Sequence, residues 1–203
     1  MAVVSNGVTL IDAGAISVAS GKMTLIKTLT ASSSGTLDFV DGASDVVLDS
    51  TYDSYVFKFI NIHPSNSGSQ FSVNFRDGST AYDATKTSAA FRAYHAEGDS
   101  SAAVAYWGGG LAQATGVQAL SDGLNIDNDS CLGGTLHLFN PSSTTFVKHY
   151  VSDCQSNEAD AAESMTNKVG GYCNVTAAID AVQFAMTAGT IDSGTIKLYG
   201  IGE

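Results

Sequence analysis

With 203 residues, a net charge of −11 and 14% charged residues, this chain covers its surface with Ser, Thr, Asn, Gly and Ala more than with ions. About a quarter charged is usual. An acidic balance repels phosphate backbones and anionic membranes, so nucleic-acid or lipid binding would need a local basic patch. None is present: Lys22, Lys27, Lys148, Lys168 and Lys197 stand apart from one another. The length suits one β domain over 1–203, with residues 1–22 as an N-terminal docking segment.

Strand signals run the length of the chain, and no helical periodicity competes with them. Met23–Thr30 and Thr36–Val40 read as strands separated by a Ser-rich turn over Ala31–Gly35. The run Tyr55–Ile62 is apolar on both faces apart from Lys58 and Asn61, the pattern of a central strand covered on both sides. Pro64 cannot donate to a ladder, so that strand must stop or reach an edge there. Phe71, Val73 and Phe75 alternate with Ser72, Asn74 and Arg76, predicting a half-buried strand with one wet face, closed by the Asp77-Gly78 turn. Ala81–Ser88 and Ser100–Gly116 are small and polar and read as long loops.

Further on, Gly134–Phe139 and Thr144–Val151 flank Asn140-Pro141-Ser142-Ser143 and predict a hairpin. Asp153–Asn167 is acidic with interspersed alanines and suits a short helical turn. A second hairpin is expected between Ala178–Met186 and Gly194–Ile201. Many strands with turns at close intervals define an all-β class, an antiparallel β-sandwich with a jelly-roll-like arrangement.

The N-terminus has no basic region followed by an apolar run, and no apolar stretch approaches transmembrane length, so synthesis and folding in a cytoplasm are expected. Three cysteines, Cys131, Cys154 and Cys173, then read as free thiols, with a Cys154–Cys173 bridge as the alternative.

Motifs with chemical potential fall short of their requirements. Ser20-Gly21-Lys22-Met23 lacks the first glycine and the hydroxyl residue of a phosphate-binding loop and reads as a strand-entry turn. His137 and His149 lie on the two arms of the expected hairpin, but two histidines make a poor zinc site. Asn125-Ile126-Asp127-Asn128-Asp129 imitates a calcium loop, yet Ser130 and Leu136 stand where a glycine and a bidentate acid are needed, leaving an Asx-rich turn. No Gly-x-Ser-x-Gly elbow occurs. Carboxylates such as Asp38 and Asp45 sit in turn-like or wet-face contexts. These readings call for no catalytic residue, no cofactor and no metal. The one candidate site is Tyr106-Trp107-Gly108-Gly109-Gly110, where the single tryptophan adjoins a glycine run. It reads either as a contact loop for a subunit or a sugar, or as a tryptophan plugging one end of the sandwich.

The segment Ser44–Tyr55 leading into Phe57–Pro64 resembles a group of structural proteins encoded by bacteriophages, marine ones especially. Leu136–Ser143 with Lys148-His149, and the ending Asp192–Ile201, resemble the same group. The similarity extends from about Thr24 to the C-terminus and involves strand and turn segments. It implies a jelly-roll-type virion protein with no active site, a capsid decoration or tail- or fibre-associated subunit. The implied partners are other virion proteins and further copies of the chain, a trimer among the possible states. A host-glycan-binding module that stacks Trp107 on a sugar, and a glycan-cleaving enzyme, are the alternatives.

Overall fold

The computed structural model describes the backbone of residues 3–5, 8–12, 15–16, 23–158 and 162–202, with side chains over 23–157 and 162–202. Three short strands, β1 (Val3–Ser5), β2 (Val8–Asp12) and β3 (Ala15–Ile16), form a small antiparallel sheet within the expected docking segment 1–22. The rest of that segment, including the turn at Ser20–Lys22, lies outside the described residues.

The remaining strands are β4 (Met23–Ser34), β5 (Thr36–Val40), β6 (Ser54–Pro64), β7 (Phe71–Arg76), β8 (Lys86–Ala96), β9 (Ala102–Tyr106), β10 (Gln118–Ala119), β11 (Leu132–Phe139), β12 (Lys148–Glu158), β13 (Glu163–Cys173), β14 (Ala181–Met186) and β15 (Ile191–Ile201). They form a four-stranded sheet, β10-β7-β14-β5, and an eight-stranded sheet, β4-β15-β6-β11-β12-β13-β8-β9. Every pairing is antiparallel.

The pairings are nested. β4 pairs with β15, β5 with β14, β6 with β11 and β7 with β10, while successive partners alternate between the two sheets. A long hairpin rolled around a core gives this order, so the sandwich is jelly-roll-like. Two hairpins, β8–β9 and β12–β13, interrupt the roll and widen one sheet.

Phe184 on β14 makes the contact between sheets. Its ring centroid lies 6.1 Å from Phe39, 5.2 Å from Phe57, 5.2 Å from Phe59 and 5.7 Å from Phe71, mostly edge-on. Such arrangements satisfy the ring quadrupoles as well as burying area. All five rings are inaccessible or nearly so.

Several sequence expectations are corrected here. β14 and β15 are not a hairpin: they belong to different sheets, so the chain between them crosses the sandwich. No turn separates β4 from β5 at Ala31; β4 continues to Ser34 before the chain crosses. The acidic Asp153–Asn167 segment is strand over 153–158 and 163–167, where β12 and β13 pair residue for residue; residues 159–161 lie outside the described residues. The supposed loops hold the first residues of β8 and the whole of β9. The wet face of β7 is buried: Ser72 donates to Ala185 O, and Asn74 Oδ1 accepts from the amide of Phe75. Conversely, β6 is only partly covered on its outer side, where Ile60 is exposed.

The cysteines are free, and register explains why. Cys154 lies opposite Asn167, whereas Cys173 stands six positions further along β13, roughly 20 Å away. Cys173 is instead flanked in register by Lys86 on β8 and Lys148 on β12.

Both lysines are fully buried. Lys86 Nζ donates to Asn74 Oδ1 (2.5 Å), Ala84 O (2.7 Å) and Thr115 O (3.3 Å), one acceptor for each N–H. Lys148 Nζ donates to Val175 O (3.0 Å). The bond to Asn74 ties β8 to β7 of the roll, Lys148 holds the chain that leaves β13, and an unmet buried charge would be costly.

Burial pulls the Lys86 ammonium down to about 8 from 10.5. The folded protein then releases this proton before the unfolded chain does, so stability rises with pH from about 8 upward. Burial of Cys154 and Cys173 pushes each thiol up to about 12 from 9.0, which reverses the slope once the unfolded thiols ionise. Denaturant midpoints are therefore expected to climb between pH about 7.5 and about 9. Lys86→Met leaves Asn74 Oδ1 and two carbonyls without their donor, so the variant should be less stable by about 1 to 3 kcal/mol. It should lose the Lys86 share of that climb, leaving the share of Lys148, whose ammonium burial also pulls down. Equal slopes for the two proteins would contradict this role for Lys86.

Candidate contact surface

The eight-stranded sheet is twice as wide as its partner, leaving the inner face of β12, β13 and β8 to be covered by something else. The segment from Trp107 to Cys131 does this. Gln118, fully buried, is its hub: Nε2 donates to Gly109 O (2.7 Å) and Ala119 O (2.8 Å), while Oε1 accepts from Ser88 Oγ (2.5 Å) and the Tyr150 hydroxyl (3.1 Å). Asp122 forms an ion pair with Arg92 of β8, and its amide donates to Asn167 of β13. Cys131 N and Ser130 Oγ close the segment onto Asn157 of β12.

The expected site is divided by this arrangement. Trp107 is 7% exposed, and its ring belongs to the core cluster. Its amide donates to Ala90 O at 3.0 Å, continuing the β8–β9 ladder. The chain then folds back over the indole: a Cβ on Gly109 would come within 2.7 Å of the ring, and one on Gly110 within 3.0 Å of Ser88 O. Glycines at 109 and 110 thus serve close packing, while Gly108 faces open space. Of the two readings of Trp107, the structure shows the plug, and no stacking platform is presented. Tyr106, at 74% exposure, is the aromatic group that the segment offers outward.

What sequence reasoning missed is the outer face of the eight-stranded sheet. Register places Phe139, His137 and Thr135 of β11 alongside Val151 and Asp153 of β12. Together they rim a shallow depression of about 340 Å³. Phe139, Val151 and Ile60 are exposed there, as are Phe91 on β8 and Val104 and Tyr106 on β9. Lys58, Lys168 and Lys197 occupy neighbouring strands, Lys58 lying 5.3 Å from the Tyr199 ring centre and Lys168 pairing with Asp153. The alternation of β11 and β12 carries part of this signal, whereas β9 and the start of β8 read as loops in the sequence.

The two histidines of the expected hairpin face outward beside aromatic rings. His137 lies 6.3 Å from Phe139, and His149 lies 5.9 Å from Tyr172. Asn125 to Ser130 is an Asx turn: Asn125 Oδ1 accepts from the amides of Ile126 and Asp127, and Ser130 N donates to Asp127 O. Asp38 is engaged within its edge strand, accepting from Thr36 Oγ1 (2.6 Å) and Gln183 Nε2 (2.7 Å).

The class defined by this geometry is an all-β, jelly-roll-like sandwich with one broad, partly apolar sheet face. No family model matches the chain, and no curated protein or solved structure matches it.

The division between plug and exposed ring is directly measurable. Trp107→Ala is expected to destabilise the fold by about 3 to 5 kcal/mol, as for a large core truncation, whereas Tyr106→Ala should stay within about 0.5 kcal/mol. Chemical denaturation of both variants checks this, and comparable losses would contradict the assignment.

Proposed function

We propose that this chain is a non-enzymatic structural subunit of a bacteriophage virion, a capsid decoration or tail- or fibre-associated protein. In this role the sandwich is a rigid block and the outer face of its eight-stranded sheet is the docking surface. The observation that carries the reading is the group of exposed apolar side chains on that face: Phe91, Val104, Tyr106, Phe139 and Val151. They fall in two groups, Phe139 with Val151 and Phe91 with Val104 and Tyr106, on either side of β13, and grouped apolar exposure marks contact sites.

Two further features support it. The scarcity of surface charge lowers the desolvation cost of packing many copies by symmetry. The unpaired thiols suit a chain made in a bacterial cytoplasm, as the likeness of the strand and turn segments to phage structural proteins implies.

Density-purified phage particles provide the test. Quantitative mass spectrometry should recover this chain in a fixed ratio to the major capsid protein. Replacing Phe139 with Glu should leave the isolated fold intact but reduce that ratio at least tenfold. Recovery only from the lysate, never from particles, would refute the reading.

A further inference from the structure

The eight-stranded sheet ends in β9, and that edge differs from the others. Every residue of β9 is exposed, yet its sequence is Ala102-Ala103-Val104-Ala105-Tyr106. No charged side chain occurs from Ser100 to Ser121, although the chain carries −11. β9 runs against β8 without a bulge, and among the described residues β8 is its only strand partner.

Natural edges are usually blunted by charge, irregularity or brevity. The other edges of the two sheets follow that rule. β4 carries Lys27 and a register irregularity opposite Leu198/Tyr199, β5 carries Asp38, and β10 is two residues long. β9 has no such guard.

The ladder shows which groups are free. Trp107 N donates to Ala90 O, and Ala96 N donates to Ser101 O, so hydrogen-bonded pairs fall at 90/107, 92/105, 94/103 and 96/101. By alternation, the N–H and C=O groups of Ala102, Val104 and Tyr106 point away from β8. These three positions are symmetric about Val104. A second β9 laid antiparallel on the first would pair Val104 with Val104 and Ala102 with Tyr106. Each pair exchanges two bonds, for about six in all.

We infer that β9 is a homotypic pairing edge, joining two copies of this chain about a two-fold axis at Val104 into one continuous sheet. The occupant is a second copy because its backbone complements the free groups in register. Close approach there also brings no like charges together, although two chains of this net charge repel elsewhere. Val104 side chains would meet on the outer face, beside Phe91 and Tyr106. The inference rests on the assembly reading only in taking this sheet as a contact surface. A strand of this length buries less than a standard interface, so the pairing is concentration-dependent in isolation and reinforced where particle geometry holds copies side by side.

Sedimentation of the full chain from about 1 µM to about 500 µM tests this. The expected result is a reversible shift from monomer toward dimer. Val104→Lys places two ammonium groups directly opposite each other and should weaken dimerisation at least tenfold. Val104→Pro removes an outward N–H that β8 does not use and should do the same. Amide exchange of the unmodified protein is independent of how those variants fold. Val104 and Tyr106 should become protected with concentration, while Ala103 and Ala105 stay protected throughout.

A wild-type monomer across the range, with the Val104 amide exchanging freely, overturns the inference. A dimer that survives both substitutions, or protection appearing elsewhere, overturns it too while leaving the virion reading intact. Absence from particles overturns only the latter.

Discussion

Phe184 sits where the two sheets meet, in contact with Phe39, Phe57, Phe59 and Phe71, and the rest of the architecture follows from sealing that interface. The nested pairings of β4 with β15, β5 with β14, β6 with β11 and β7 with β10 bring these rings from distant segments to one place. Burying such side chains is worth several kcal/mol each and is the main gain that offsets the ordering of a chain with long-range pairings throughout. The two inserted hairpins join the same core through Ala90, Tyr150, Cys154, Val169 and Cys173, with the Tyr150 ring 5.1 Å from Phe75. A polar device adds to this: Lys86 and Gln118 bond β8 and β12 to β7 and β10, and the Trp107–Cys131 segment lies over their inner face.

That division explains where charge goes. With nine basic residues in the chain, two are spent entirely inside, each holding backbone carbonyls. Arg92 and Arg76 are occupied by Asp122 and Asp180. Of the other five, Lys27, Lys58, Lys168 and Lys197 lie on the eight-stranded sheet and none lies on β9. The low charge content noted in the sequence is therefore uneven: no charged side chain occurs from Ser100 to Ser121, the stretch that holds β9.

Much of the class was legible from residues alone. Alternation and turn chemistry placed β6, β7, β11 and the start of β12, and the all-β sandwich followed. The failures have physical causes. The Ala178–Met186 and Gly194–Ile201 segments carry hairpin chemistry locally, but tertiary burial of both faces of β14 sends it to the other sheet. β8 and β9 are rich in alanine, which has weak strand preference, and pairing fixes them, β8 against β13 and β9 against β8. The acidic arm looked helical because alanine and glutamate favour helices, a preference that an eleven-residue ladder overrides. Trp107 could be read two ways from its glycines; only the approach distances at Gly109 decide for the plug. The outer face is not legible in the sequence because it is assembled across β8, β9, β11 and β12, strands distant in sequence.

In the proposed virion role the broad outer face is covered in the assembled particle. A density map of the intact particle by electron cryomicroscopy should then show this sandwich with Phe139, Val151 and Phe91 packed against a neighbouring subunit. A particle in which that sheet faces solvent, with the subunit held only by its loops, would contradict it.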